Sequence, residues 1–239
     1  DASLITGNSE YRRKFLDALL SQIDTEYLQS LITYTKVLQQ RNSLLKSFAE
    51  TGNRNEKLLE VLDEQLAVPG DIIFEKRKTF LTAFLPEVVH LYHEIAGKSE
   101  PVHLIYESEL LKQDMRSLLQ ENRPKDLYTQ RTVSGIHKDE LDMQMGIQPF
   151  KQIASQGQRK SLLFALKLAE MDILRREKGF APLLLLDDVF EKLDEQRIAN
   201  LLHKVCVENE GQVFITDTDP VRLSAQLKQL GIDFGIIGV

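Results

Sequence analysis

Four consecutive leucines, Leu183–Leu186, stand between Pro182 and the acidic pair Asp187-Asp188. The run is too short for a helix of its own and suits a strand buried on both faces of a parallel sheet. In such sheets ligands gather beyond the carboxyl ends of the strands, and both aspartates stand at that end. One carboxylate there can hold Mg²⁺ through water while the next orients a nucleophile. A buried strand followed by an acidic turn that caps a helix accounts for the same residues. This stretch alone does not separate the two readings.

Upstream, Ala154-Ser155-Gln156-Gly157-Gln158-Arg159-Lys160 opens a run with apolar residues at Leu162, Leu163, Leu166, Ala169 and Ile173. That spacing predicts an amphipathic helix. Ser155 suits its N-cap and Gly179 its C-cap, and Arg175, Arg176 and Lys178 complement the negative end of the dipole. A helix start that carries a serine hydroxyl and a glycine amide can bind an anion. Any single S-x-G start is commonly just a capped helix. It is the combination with the leucine strand, the aspartate pair and Leu193-Asp194 beyond it that is uncommon.

Together these residues resemble the second half of an ABC-type ATPase head. Ser155-Gln156-Gly157-Gln158 is similar to the signature motif, Leu183–Asp188 to Walker B, and Glu191-Lys192-Leu193-Asp194 to the D-loop. The wording A-S-Q-G-Q-R and L-L-L-L-D-D-V resembles the RecF family of bacterial DNA-repair ATPases. The fold class this implies is α/β: a partial ABC-type head of the P-loop NTPase superfamily, with a mostly parallel sheet lobe and an inserted all-helical arm.

A net charge of −6 and a pI near 5.5 argue against a wholly basic nucleic-acid binder, though not against a local basic groove. Length and a hydrophobic content of 42% allow one good core and a second module. Cys206 has no second cysteine to pair with, which fits a reducing cytoplasm. No apolar run reaches membrane-spanning length and no signal peptide is visible. No G-x-x-x-x-G-K-S/T occurs. Gly97-Lys98-Ser99 has Tyr92 where the upstream glycine belongs, and it follows a helical pattern rather than a strand. The chain also starts at Asp1 rather than Met. A piece of a longer protein, lacking the Walker A portion and unable to hydrolyse ATP by itself, is therefore expected.

Along the chain, Gly7 and Tyr11–Asp17 resemble a RecF-family G-x-x-x-x-R-R-x-F-L-D. Arg12, Arg13 and Lys14, with Lys138 further on, are the candidate DNA contacts; a solvated helix start explains the first three equally well. A seam through Tyr27, Leu31, Tyr34, Leu38, Arg41, Leu45 and Phe48 steps by alternating fours and threes, with Arg41 as a polar intruder. Thr51–Asn55 breaks it, Pro69-Gly70 ends a second helix, and a third runs from Asp71 to Ile95. Residues 10–96 thus read as a helical arm, with 1–9 and 97–239 as the head. Gln40–Lys46 resembles the family's Q-R-N-x-L-L-K, although such a seam is also ordinary core packing.

Val102–Tyr106 reads as a strand, Glu107–Gln120 as a helix that Pro124 closes off, and Arg131–Leu141 as strand, turn and strand. The last resembles the family's R-T-x-x-G-P-H-R-D-D-L, with Ile136 in place of proline. His137 beside Asp139 and Glu140 suggests a metal, but no second histidine or cysteine stands at ligand spacing. A turn near nucleotide or DNA fits better. After a further strand, Gly211–Thr216, most ABC heads carry a histidine; here Thr216-Asp217 follows, as in RecF-like sequences, which leaves the γ-phosphate sensor undetermined. Pro220–Leu230 suits a helix with proline in its first turn, and Ile232–Val239 a closing strand.

The resemblance implies a site with parted roles. Asp188 would be the catalytic residue and Asp187 the Mg²⁺ ligand. Ser155, Gln156, Gly157, Gln158 and Asp194 would contact ATP in trans, across a homodimer that closes when ATP is bound. It implies action on DNA at single-strand/double-strand junctions, with the RecO and RecR mediators, in replication, recombinational repair and the SOS response. Other readings are a Rad50- or SMC-like ATPase, whose coiled coils are far longer than 10–96, a scaffold with relic motifs, or a transporter ATPase. The last is disfavoured by the arm and by the absent histidine.

Overall fold

A computed structural model describes residues 2–187, 191–209, 211–217 and 219–238. The chain forms two compact units, one of Asp1–Thr6, Phe84–His103 and Met143–Val239, the other of Gly7–Ala83 and Leu104–Asp142.

The second unit is helical. Helix α2 (Ser9–Ile23) follows the short α1 (Ser3–Thr6) and starts at Asn8, whose side chain accepts the Glu10 amide. Asp24 ends α2 and at once caps α3 (Thr25–Thr51) by accepting the Tyr27 amide at 2.9 Å. Gly52, at φ 70°, stops α3 in the left-handed region. Helix α4 then runs unbroken from Glu56 to Ala96, so the expected stop at Pro69-Gly70 does not occur. A proline removes one amide donor from a helix, but a long helix survives this when the turns on either side are packed. Here Leu66, Ile73 and Phe74 are all buried. Gly70 serves packing instead of a turn: a Cβ there would lie 2.9 Å from Met115 Cγ and 3.3 Å from Tyr34 Cε2. Pro124 likewise passes through α5 (Met115–Thr129), which Asp114 caps.

The α3 seam is buried through Tyr27, Ser30, Tyr34, Val37, Arg41, Leu45 and Phe48. Leu31 and Leu38 stand only half-buried beside it, one position off the expected row. Arg41 is wholly buried. Its guanidinium reaches Asp63 at 2.7 Å, Asp126 at 2.6 Å and the Thr132 hydroxyl at 2.8 Å. Arg77, 1% exposed, bonds Asp17 and Asp139 at 2.7 Å and the Ile136 carbonyl at 2.8 Å. A buried guanidinium needs anionic partners. Asp126 and Asp139, which supply them, tie 104–142 into this unit, whereas helical pattern alone draws the boundaries at 9/10 and 96/97. The expected strand within 131–139 is replaced by a 3-10 turn, Ile136–Lys138.

Strands β1 (Val102–Glu107), β2 (Glu140–Met145) and β3 (Gln148–Pro149) form a sheet in the order β1-β2-β3, with β2 and β3 antiparallel. The first unit goes on with α6 (Phe150–Ile153), α7 (Gln156–Lys178), β4 (Leu184–Asp187), α8 (Glu195–Cys206), β5 (Val213–Thr216) and α9 (Pro220–Gln229). Helix α7 buries Leu162, Phe164, Ala165, Leu166, Leu168 and Ala169, too wide an arc for a merely amphipathic surface helix, so it lies in the core. On α8, Ile198, Leu201, Leu202 and Val205 have no exposure, and each contributes about 1.5–3 kcal/mol of hydrophobic stabilisation.

Strands β4 and β5 pair in parallel, Leu185 against Phe214 and Asp187 against Thr216. The expectation of a strand covered on both faces is not met. Leu186 is buried, but Leu183 and Leu185 are 65% and 74% exposed. An uninterrupted apolar run does not say how many of its faces are covered. Residues 232–238 carry no strand either, because a strand requires a paired neighbour and not only apolar residues. No helix among the described residues is long and apolar enough to cross a membrane.

Candidate functional site

Ser155 starts α7 with a complete capping box. Its Oγ accepts the Gln158 amide at 3.2 Å, and the Gln158 side-chain oxygen accepts the Ser155 amide at 2.8 Å. The serine oxygen accepts from its own helix yet retains its hydrogen for donation. Ser155 and Gln156 are exposed, so this end of α7 presents a hydroxyl and amide hydrogens where the dipole favours an anion.

The turn 191–194 lies against the same end. Lys160 Nζ donates to the Glu191 carbonyl at 2.9 Å. A Cβ on Gly157 would stand 2.9 Å from the Lys192 carbonyl oxygen, so only glycine lets the two backbones approach this closely. Lys192 itself is in the left-handed region at φ 67°. Asp194 then caps α8 by accepting the Arg197 amide at 2.8 Å. The structure therefore brings together the residues that the sequence separated into two motifs: Ser155, Gln156, Gly157 and Gln158 on one side, Asp194 on the other.

Asp187 stands elsewhere, at the carboxyl end of β4 beside Thr216, whose hydroxyl donates to its Oδ1. The Asp187 side chain is exposed. A carboxylate so placed fits Mg²⁺, a cation that keeps several waters and takes one or two protein carboxylates. No group of three or more His, Cys, Asp or Glu side chains that could hold a metal ion occurs among the described residues. Asp188, the expected catalytic residue, lies outside the described residues.

The basic candidates part ways. Arg12 is turned inward, its guanidinium forked onto Glu140 at 2.8 and 3.1 Å and donating to the Gly7 carbonyl at 3.0 Å. To reach a phosphate it would have to leave Glu140 behind. Arg13 donates to the Asp139 carbonyl at 2.7 Å. Lys14 is exposed and pairs with Glu10 at 2.7 Å; Lys138 is exposed. His137 is held by the Tyr34 hydroxyl at 2.8 Å and the Thr132 carbonyl at 3.1 Å, so both ring nitrogens are engaged within the fold.

Sequence reasoning missed Glu100 and Arg197. Both are buried, and they bond each other at 2.7 Å. A lone glutamate before Pro101 belongs to no motif, and nothing local marks a partner so far along the chain.

No protein-family model matches the chain. It is 48% identical over 229 residues to the DNA replication and repair protein RecF of Flavobacterium johnsoniae, covering 95% of this chain and 64% of that protein. The protein of the same name from Bacteroides fragilis is 43% identical over 239 residues, again with 64% of its length covered. The chain thus spans just under two thirds of the curated relatives it matches. Among solved structures, the recombination mediator protein RecF with ATP, of the RecFOR pathway, superposes with a TM-score of 0.78 at 31% identity. That match covers 92% of this chain and 60% of the other.

Proposed function

This chain belongs to the RecF family of DNA replication and repair proteins, and we propose that it supplies the signature and Walker B part of an ATP-dependent DNA-repair ATPase. In this reading two copies close over ATP. Ser155 donates its hydroxyl hydrogen and Gly157 its amide to the γ-phosphate of an ATP held by the partner copy, where the α7 dipole adds to the attraction. Asp187, oriented by Thr216, would hold Mg²⁺, which when bound neutralises phosphate charge. Asp188 would position water; its side chain is shorter than the glutamate common in ABC proteins, which suits slow turnover and a switching role. The protein would act on DNA at single-strand/double-strand junctions, with RecO and RecR, to support recombinase loading.

The observation that carries this reading is the contact of Gly157 with the Lys192 carbonyl. It puts an anion-binding helix start and a capped acidic turn side by side on an exposed surface. The test uses the full-length protein with its phosphate-binding loop. Asp188→Asn keeps shape and removes charge, and it should accumulate an ATP-bound dimer that does not hydrolyse. Ser155→Arg should bind ATP and stay monomeric. Both should lose turnover by about a hundredfold or more. Sedimentation with ATP separates them, and a Ser155→Arg protein that dimerises and hydrolyses normally would overturn the assignment.

A further inference from the structure

Glu100 lies in the segment between α4 and β1 and is 8% exposed. Its Oε1 accepts from Arg197 at 2.7 Å and stands 3.4 Å from Lys98 Nζ, and its Oε2 accepts from Gln158 Nε2 at 3.0 Å and from the Tyr92 hydroxyl. One buried carboxylate therefore gathers donors from α4, α7 and α8. Withdrawing a carboxylate and a guanidinium from water is costly, and well-packed apolar residues often serve stability as well or better. Hydrophobic burial thus gives no reason for this pair to be here.

Its partners do. Gln158 has two tasks, since its oxygen closes the capping box on Ser155 while its nitrogen faces Glu100. A carboxylate accepts only, so Glu100 fixes which way the amide points, and thereby which end faces Ser155. Arg197 reaches in three directions: to Glu100, to the Ser161 hydroxyl at 2.9 Å, and to Asp194 at 3.3 Å. Ser161 in turn donates to the Gly157 carbonyl at 2.9 Å. Counted from the same carboxylate, Gln158 and Arg197 are one contact away, Ser155, Ser161 and Asp194 two, and the Gly157 carbonyl three.

We infer that Glu100 is a positioning residue, which through Gln158 and Arg197 locks the Ser155–Gly157 helix start to the Asp194 turn so that both meet nucleotide as one rigid piece. The inference rests on the reading of Ser155 as a contact to the partner's ATP. A site held this way depends on its supporting side chains, whose loss commonly costs tenfold or more in function.

The experiment compares Glu100→Leu, Glu100→Gln, Arg197→Lys and Ser155→Arg in the full-length protein. It measures melting temperature, ATP affinity of the monomer, ATP-driven dimerisation by sedimentation, and turnover at saturating ATP. Glu100→Leu should leave monomer ATP affinity within about twofold, yet weaken dimerisation and turnover by about tenfold or more. Glu100→Gln keeps the volume but turns an amide donor toward either Arg197 or Gln158, so it should recover only part of the loss. Arg197→Lys, which keeps charge without the fork, should fall between, and it carries the test if Glu100→Leu does not fold. A lowered melting temperature with dimerisation at the wild-type level among folded molecules would overturn the inference. So would wild-type behaviour of both Glu100→Leu and Arg197→Lys beside a monomeric Ser155→Arg. Were Ser155→Arg itself to dimerise normally, the underlying reading would be at fault instead.

Discussion

The hydroxyl of Thr216 donates a hydrogen bond to the carboxylate of Asp187 across the parallel β4–β5 pair. A threonine where many ABC heads place a histidine thus orients the acidic residue on the next strand. In the proposed function that fixes one Asp187 oxygen and leaves the other to face a cation. Thr216→Val keeps the shape and removes the donor. Because the pair is exposed, stability should fall by less than about 1 kcal/mol. Turnover of the full-length protein should fall about tenfold. A thermal melt and a steady-state ATPase assay decide this, and unchanged turnover would show that Thr216 does not act on Asp187.

Arg41 supports the second unit. Arg41→Met fills the volume but leaves Asp63 and Asp126 buried with one cation fewer, and Asp126 itself has no exposure. Breaking a buried ion network in this way costs about 3–5 kcal/mol. Urea unfolding should show that loss. Hydrogen exchange should place it at Leu45 and Leu119 and not at Leu202, which belongs to the other unit. Equal loss of protection at all three would mean that the units unfold together.

Local chemistry was legible in the sequence; distant partners were not. Ser155, Gly179, Asp194 and Pro220 each cap or open a helix as their residue types require. Pro69, Pro124 and Gly70 misled, because a breaker signal is local whereas the packing that overrides it, such as Met115 against Gly70, is not. Arg12 looked free beside Arg13 and Lys14, and only the fold reveals Glu140, 128 positions away. The seam took Leu31 and Leu38 where their neighbours Ser30 and Val37 are buried, because a leucine outweighs a serine or valine in an apolar pattern, while Arg41, read as an intruder, belongs to the buried row. The exposure of Leu183 and Leu185 had no signal at all, since a leucine run looks the same with one face covered or two.

Gly157 offers a sharper test of the helix–turn contact. Alanine there should favour the helix by up to about 1 kcal/mol. Its Cβ, however, would stand 2.9 Å from the Lys192 carbonyl, a backbone atom that cannot rotate away. Overpacking of this kind costs about 1–3 kcal/mol, so the clash outweighs the propensity. Gly157→Ala should be slightly destabilised, by about 1 kcal/mol, and the amides of 191–194 should exchange faster. Dimerisation with ATP should weaken by about tenfold or more. If exchange at that turn is unaltered, the two segments do not press on each other as described.

His137 sets the last prediction, on pH. The Thr132 carbonyl only accepts, so Nε2 carries the ring proton and Nδ1 accepts from the Tyr34 hydroxyl. Burial pushes the imidazole down from the ordinary 6.5 to about 4, offset in part by the Thr132 carbonyl and assisted by Lys138, Arg13 and Arg41. Between those two pH values the unfolded chain takes up a proton that the folded chain refuses. Stability from this residue is therefore complete above pH 6.5 and declines as pH falls, until the loss ends near pH 4. The full difference is about 3 kcal/mol. Asp71, Asp126 and Asp139, which burial raises, act in the opposite sense as pH falls, so the wild-type curve alone conceals the effect. His137→Gln keeps a donor for Thr132 and an acceptor for Tyr34 without a titrating ring. Urea unfolding between pH 4 and 7 should give a difference curve in which wild type loses about 3 kcal/mol more than the variant. Parallel curves, or a His137 resonance that titrates near 6.5 in the folded protein, would show that the ring is open to water and not locked between Tyr34 and Thr132.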